Sequence, residues 1–109
     1  MTRSSLIFAL AFGLAAALPG PFGAVAAEAY AVQLAALNSE RSASDAWARL
    51  RRKHPDLLGD LTMSVERADL GERGIFYRLR TGPFPNRATA EDMCWQLRSQ
   101  KLDCLVVKR

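Results

Sequence analysis

Residues Ile75 to Arg80 alternate two kinds of side chain, with Ile75, Tyr77 and Leu79 on one parity and Phe76, Arg78 and Arg80 on the other. Successive side chains of a strand point to opposite faces, so the segment reads as a strand with an apolar face and an arginine-bearing face. A strand with an arginine face is odd, since that face is neither core nor ordinary mixed-charge surface, and it reads as a binding surface. Gly82 permits unusual backbone angles, while Pro83 lacks an N–H and has a fixed φ, so the pair is expected to end the strand.

Patterns on either side supply the rest of the sheet and its cover. Tyr30 to Leu37 is a short apolar run interrupted by Gln33, with Val32, Leu34 and Ala36 on one face and Ala31, Gln33 and Ala35 on the other. Asn38 to Ser44 reads as a polar loop, and Ser42 with Asp45 resembles a capping box that opens a helix. Ala43, Ala46, Trp47 and Leu50 form its apolar stripe, with Arg49, Arg51, Arg52 and Lys53 on its solvated side, and the helix ends at His54 before Pro55. Leu57 and Leu58 are expected core contacts from a connecting loop. Leu61 to Arg67 alternates as a second strand, and Asp69 to Gly74 reads as a hairpin loop. Asn86 is the expected cap of a helix over Arg87 to Gln100, whose stripe is Ala90, Met93, Cys94, Leu97 and Lys101. Asp103 to Val107 closes the chain as a β-branched strand. The order βαββαβ predicts an α+β, RNP/ferredoxin-like fold, a four-stranded antiparallel sheet with two helices on one face.

The first 27 residues have a different character. Arg3 precedes the wholly apolar run Leu6 to Leu18, then come Pro19, Gly20 and Pro21, and Ala24-Val25-Ala26-Ala27 offers small residues for cleavage. These are the parts of a secretory signal peptide over residues 1–27, cut after Ala26 or Ala27. The run is shorter than the roughly 20 residues of a membrane-spanning helix. A retained anchor is the alternative. Cleavage leaves residues 28–109 as a single exported, periplasmic domain with no membrane anchor, expected to be a monomer. It retains all eleven acidic residues, and loss of Arg3 takes the net charge from +4 to +3, too mild to indicate nucleic acid. Cys94 and Cys104 then lie in an oxidising compartment, where small domains form disulfides, and a bridge between them is expected over a pair of buried thiols.

The open face assembles Gln33 and Ala35 with Thr62, Ser64 and Glu66, then Phe76, Arg78 and Arg80, and finally Leu105 and Val107. An aromatic plate, guanidinium donors, an amide and an apolar floor suit a polar polymer with apolar ring faces. A merely solvated face would leave Phe76, Leu105 and Val107 exposed for no reason. Catalytic groups are not in view. His54 is the single histidine and reads as a helix cap, so no nucleophile–base set can be assembled with it. Glu91 and Asp92 read as the solvated first turn of a helix. Neither a phosphate-binding glycine loop nor metal-ligand spacing occurs, so no cofactor or metal is expected and the chain reads as a binding module, not an enzyme. Trp47 belongs to the core, and Trp95 lies off its helix stripe.

The segments Tyr30-Ala31-Val32-Gln33-Leu34 and Tyr77-Arg78-Leu79-Arg80-Thr81-Gly82-Pro83-Phe84 resemble those of SPOR domains. So do the helix carrying Ala88, Ala90, Cys94 and Leu97 and the closing Asp103-Cys104-Leu105-Val106-Val107, so the likeness runs over residues 29–109. The resemblance implies binding of peptidoglycan glycan strands, with preference for strands stripped of stem peptides, which accumulate at the division septum. The family's groove residues correspond to Gln33, Phe76, Arg78 and Leu105, and Arg80 shares their face. Departures lie on the first strand, where Ala35-Ala36 replaces a glycine and small polar residue and Leu37 an aromatic one. Two other readings of the open sheet are a periplasmic protein–protein adaptor and an RNA-binding module that stacks bases. The signal peptide speaks against RNA.

Overall fold

The computed structural model describes residues 29–109; the segment 1–27 expected to be a signal peptide lies outside the described residues. Strand β1 (Tyr30–Leu37) is followed by helix α1 (Glu40–Lys53), a short helix α2 (Pro55–Leu58), β2 (Thr62–Asp69), β3 (Ile75–Phe84), α3 (Arg87–Ser99) and β4 (Leu105–Lys108). The strands form one antiparallel sheet in the order β2-β3-β1-β4. The α+β architecture is the expected one, with α2 as a third, four-residue helix where a loop was expected. Pro55 suits its first turn, where a missing N–H costs nothing.

Helices α1 and α3 cover one face. Val32, Leu34, Leu79 and Phe84 from the sheet pack with Ala46, Trp47, Leu58, Ala90, Cys94 and Leu97. Leu58, Leu79 and Leu97 are fully buried. The core is thus a single layer of apolar side chains closed by Trp47, as the helix stripes required. Cys94 and Cys104 form a disulfide, with Cα atoms 5.8 Å apart, that joins α3 to the segment entering β4.

Several boundaries differ from the sequence reading, each for a local reason. Helix α1 begins at Glu40, because Ser39 is already the cap: its backbone is extended and its Oγ accepts from the Ser42 N–H at 3.0 Å. Ser42 is therefore the third helical residue and not the cap, and residues 40–44 are helix, not loop. The Asn86 cap stands as expected, accepting from the Thr89 N–H at 2.8 Å. With α3 starting at Arg87, Glu91 and Asp92 fall in its second turn, where they meet Arg87 and Gln96. His54 does end α1, its N–H donating to Leu50 O, but its ring is buried, with Nδ1 2.5 Å from Oε1 of Gln100. Gln100 in turn donates to Asp56, so the imidazole ties the end of α1 to the end of α3.

Lys101 leaves the α3 stripe altogether. The helix stops at Ser99, Lys101 adopts a left-handed φ of 71°, and the N–H groups of Lys101 and Leu102 return to the carbonyls of Arg98 and Leu97. This is a Schellman ending, in which Leu102 takes the apolar contact assigned to Lys101. A left-handed residue with a Cβ is disfavoured relative to glycine. Lys101→Gly is therefore expected to stabilise the domain by about 0.5–1 kcal/mol, read as a raised urea midpoint at unchanged slope.

Two bulges shape the sheet. Between β1 and β3 the pairing steps from Gln33↔Arg80 to Ala35↔Leu79, which leaves Leu34 as an extra residue. Facing parity inverts beyond it: Ala35 and Leu37 pack on the core, while Ala36 opposes Arg78. The expected placement of Ala36 inward and Ala35 on the open face is thereby reversed. The second irregularity lies in β3, where Val32↔Thr81 gives way to Tyr30↔Phe84. Gly82 and Pro83 do not end the strand but form this bulge, and Phe84 resumes the pairing. Gly82 has φ 143°, and a Cβ there would lie 3.2 Å from the Tyr30 carbonyl oxygen, so glycine is required. Pro83, with no donor to offer, sits where the ladder is already interrupted.

Candidate functional site

Residues directly opposite in an antiparallel pair share a face, so the register lays out the uncovered side in rows. One row runs Leu105, Gln33, Arg80, Ser64 across all four strands. Beside it lie Ala36, Arg78 and Glu66, and beyond them Phe76 with Ala68. On the other side, Val107 opposes Ala31 and Gly82 opposes Thr62. All the residues expected to bind, Gln33, Phe76, Arg78, Arg80 and Leu105, therefore share one surface, opposite to the helices.

The two arginines stand in different circumstances. Arg80 is only 15% exposed in its side chain, and it sits at the centre of a network. Its Nε donates to Gln33 Oε1 at 3.0 Å, and its Nη1 pairs with the Glu66 carboxylate. This crosslinks β1, β3 and β2 on the open face, fixes the Gln33 amide, and leaves the amide's N–H groups for a ligand. Arg78 lies between Ala36 and Glu66 in the register, yet Glu66 turns to Arg80. Among the described residues no carboxylate pairs with Arg78. Its planar fork is thus available for a bidentate partner, with a methyl group on one side that leaves room for one.

Apolar surface completes the arrangement. Leu105, on edge strand β4, is 56% exposed, and Phe76 is half-buried beside Ala68. Three elements of the surface were missed by parity alone: Ala36, moved there by the bulge at Leu34, Ala68, from the part of β2 beyond Arg67, and Arg109, whose N–H donates to Ala29 O at 2.9 Å. The alternation Leu105, Val107, Arg109 was the available sequence signal for Arg109, since the strand runs on to Lys108 and does not stop at Val107. Trp95, also exposed, stands on α3 in the helix layer, away from this face.

The arrangement can hold a chain of rings against Phe76 and Leu105 while donors on Gln33 and Arg78 meet acceptors along its edge. Comparison with known proteins accords with the fold. An uncharacterized protein of Rickettsia prowazekii (strain Madrid E) is 25% identical over 77 residues, which are 71% of this chain and 35% of that protein. The chain thus spans about a third of the length of this curated relative. Among solved structures, the peptidoglycan binding domain of the B. subtilis cell wall lytic enzyme CwlC superposes with a TM-score of 0.52 at 18% identity. The superposition covers 75% of this chain and 90% of that one, a likeness of fold. The family model described as SPOR domain matches residues 26–108, and the chain belongs to the SPOR domain family.

Proposed function

We propose that this chain is a non-catalytic peptidoglycan-binding module of the cell envelope, which grips glycan strands across the open face of its sheet. The observation that carries the reading is Arg78, which lies between Ala36 and Glu66 on the uncovered face and pairs with no carboxylate among the described residues. Sugar rings present C–H faces that pack on Phe76 and Leu105, and the Gln33 amide meets hydroxyl or N-acetyl groups. Removal of a stem peptide bares a lactyl carboxylate on each muramic acid, the group a guanidinium binds with two hydrogen bonds. Strands lacking stem peptides are accordingly the preferred ligand, and their abundance at the division septum makes that the expected place of action after export. Arg80 serves chiefly to hold Gln33 and Glu66. Family membership and the fold likeness to a peptidoglycan binding domain support the same reading.

Co-sedimentation of the protein with sacculi, before and after amidase digestion, tests it. Binding that rises on amidase treatment is the expected result. Absence of binding to either preparation favours a protein–protein adaptor and overturns the proposal.

A further inference from the structure

The row of the open face next to Arg80 is built from small side chains. Gly82 opposes Thr62, and Ala31 opposes Val107. Gly82 has no side chain and Ala31 a single methyl, so the surface dips between the taller row of Gln33, Arg80 and Ser64 and the chain that continues past β4. A pocket of about 350 Å³ fills the dip, lined in part by Ala31, Ser64, Glu66, Arg80, Lys108 and Arg109. A second, of about 160 Å³, shares Ala31, Ser64 and Arg109 with it and extends to Thr62 and Gly82. Ala31 is almost fully buried at its floor although it belongs to the uncovered face.

The lining is cationic. Lys108 and Arg109 supply its net positive charge, since Arg80 and the carboxylate of Glu66 offset each other. Among the described residues no carboxylate pairs with Lys108 or Arg109. The Ser64 hydroxyl, at the wall of both pockets, adds a donor.

We infer that this notch is a second anion subsite of the face, taking a carboxylate of the bound glycan between Arg109 and Arg80. The inference rests on the glycan-binding reading above. Its floor at Gly82 lies four residues along β3 from Arg78, roughly 13 Å at the rise of a strand. The two cationic positions therefore meet carboxylates on separate sugar units, and the face selects a strand that carries the acid repeatedly along its length. A strand with one isolated carboxylate fills only one position and binds more weakly.

Titration of the protein with soluble, amidase-treated glycan strands, and with the same strands after chemical reduction of their carboxylates to alcohols, tests the notch. Arg109→Ala is expected to weaken binding of the acidic strands roughly tenfold, the size of one lost charge-assisted hydrogen bond, and to leave binding of the reduced strands unchanged. Ala31→Leu fills the notch without changing charge and is expected to weaken binding of the acidic strands as well, with a melting curve to confirm its fold. An equal loss on both kinds of strand for Arg109→Ala overturns the carboxylate assignment. If both variants bind acidic strands like the unsubstituted protein while Arg78→Ala does not, the notch is overturned and the open-face reading stands. If the unsubstituted protein binds neither kind of strand, the open-face reading fails and takes the notch with it.

Discussion

Arg78→Ala is expected to lower affinity for amidase-treated glycan by about ten- to a hundredfold, the range of a lost charge-assisted hydrogen-bond pair. The fold should be indifferent to the change. Arg78 makes no ion pair among the described residues, and its neighbour Glu66 keeps Arg80 as a partner. Truncation therefore strands no buried charge and removes only what a ligand would meet. The matched control is Arg52→Ala, on the exposed side of α1, which changes net charge equally on the helix layer. Arg51 is the poorer control, since its Nη2 donates to the Gly59 carbonyl at 2.8 Å and its loss loosens the α2 turn. Long-range attraction to an anionic polymer would fall alike for both variants and would vanish with added salt. A loss specific to Arg78 that persists at physiological salt identifies contact. Equal losses for Arg78→Ala and Arg52→Ala would remove Arg78 from the groove.

The sequence announced the architecture because its signals were periodic and its turns chemical. Alternation in residues 75–80 and 61–67 and the apolar stripes around Trp47 and Cys94 each point to one face, and the helices can cover only one side of the sheet. The two cysteines in a chain read as exported were enough to expect their bridge. What stayed hidden was set by register. A one-residue bulge leaves no mark on composition, yet the extra Leu34 exchanges Ala35 for Ala36 on the open face. Likewise, the partition of Arg80 into a network with Gln33 and Glu66 depends on how three strands align, which no single segment encodes. Gly82-Pro83 was read as a stop because each residue alone disfavours a ladder. The structure uses them together as a bulge inside the ladder, and the side chain that Gly82 lacks helps to open the notch.

Breaking the Cys94–Cys104 bridge, by reduction or by paired alanine substitution, is expected to cost about 3 kcal/mol of stability on the chain-entropy model for so short a loop. The damage should not be spread evenly. Strand β4 has four residues, lies at the sheet edge and pairs with β1 alone. Its entry is held by the disulfide to α3 and by the Arg98 guanidinium, which donates to the Cys104 carbonyl at 2.8 Å. By contrast, β3 pairs on both edges along most of its length. Without the bridge β4 opens first, at a free energy well below global unfolding. Leu105 and Arg109 leave the binding face with it, so glycan affinity falls while the helix-covered core remains folded. Amide exchange followed with and without reductant checks this directly. Faster exchange on reduction at Leu105 and Val107, whose register with β1 places them in hydrogen-bonded pairs, than at Leu79, together with weakened glycan binding, is the expected pattern. A uniform rise across both strands would mean that the bridge acts only on the unfolded chain, and that β4 needs no staple to present its part of the face.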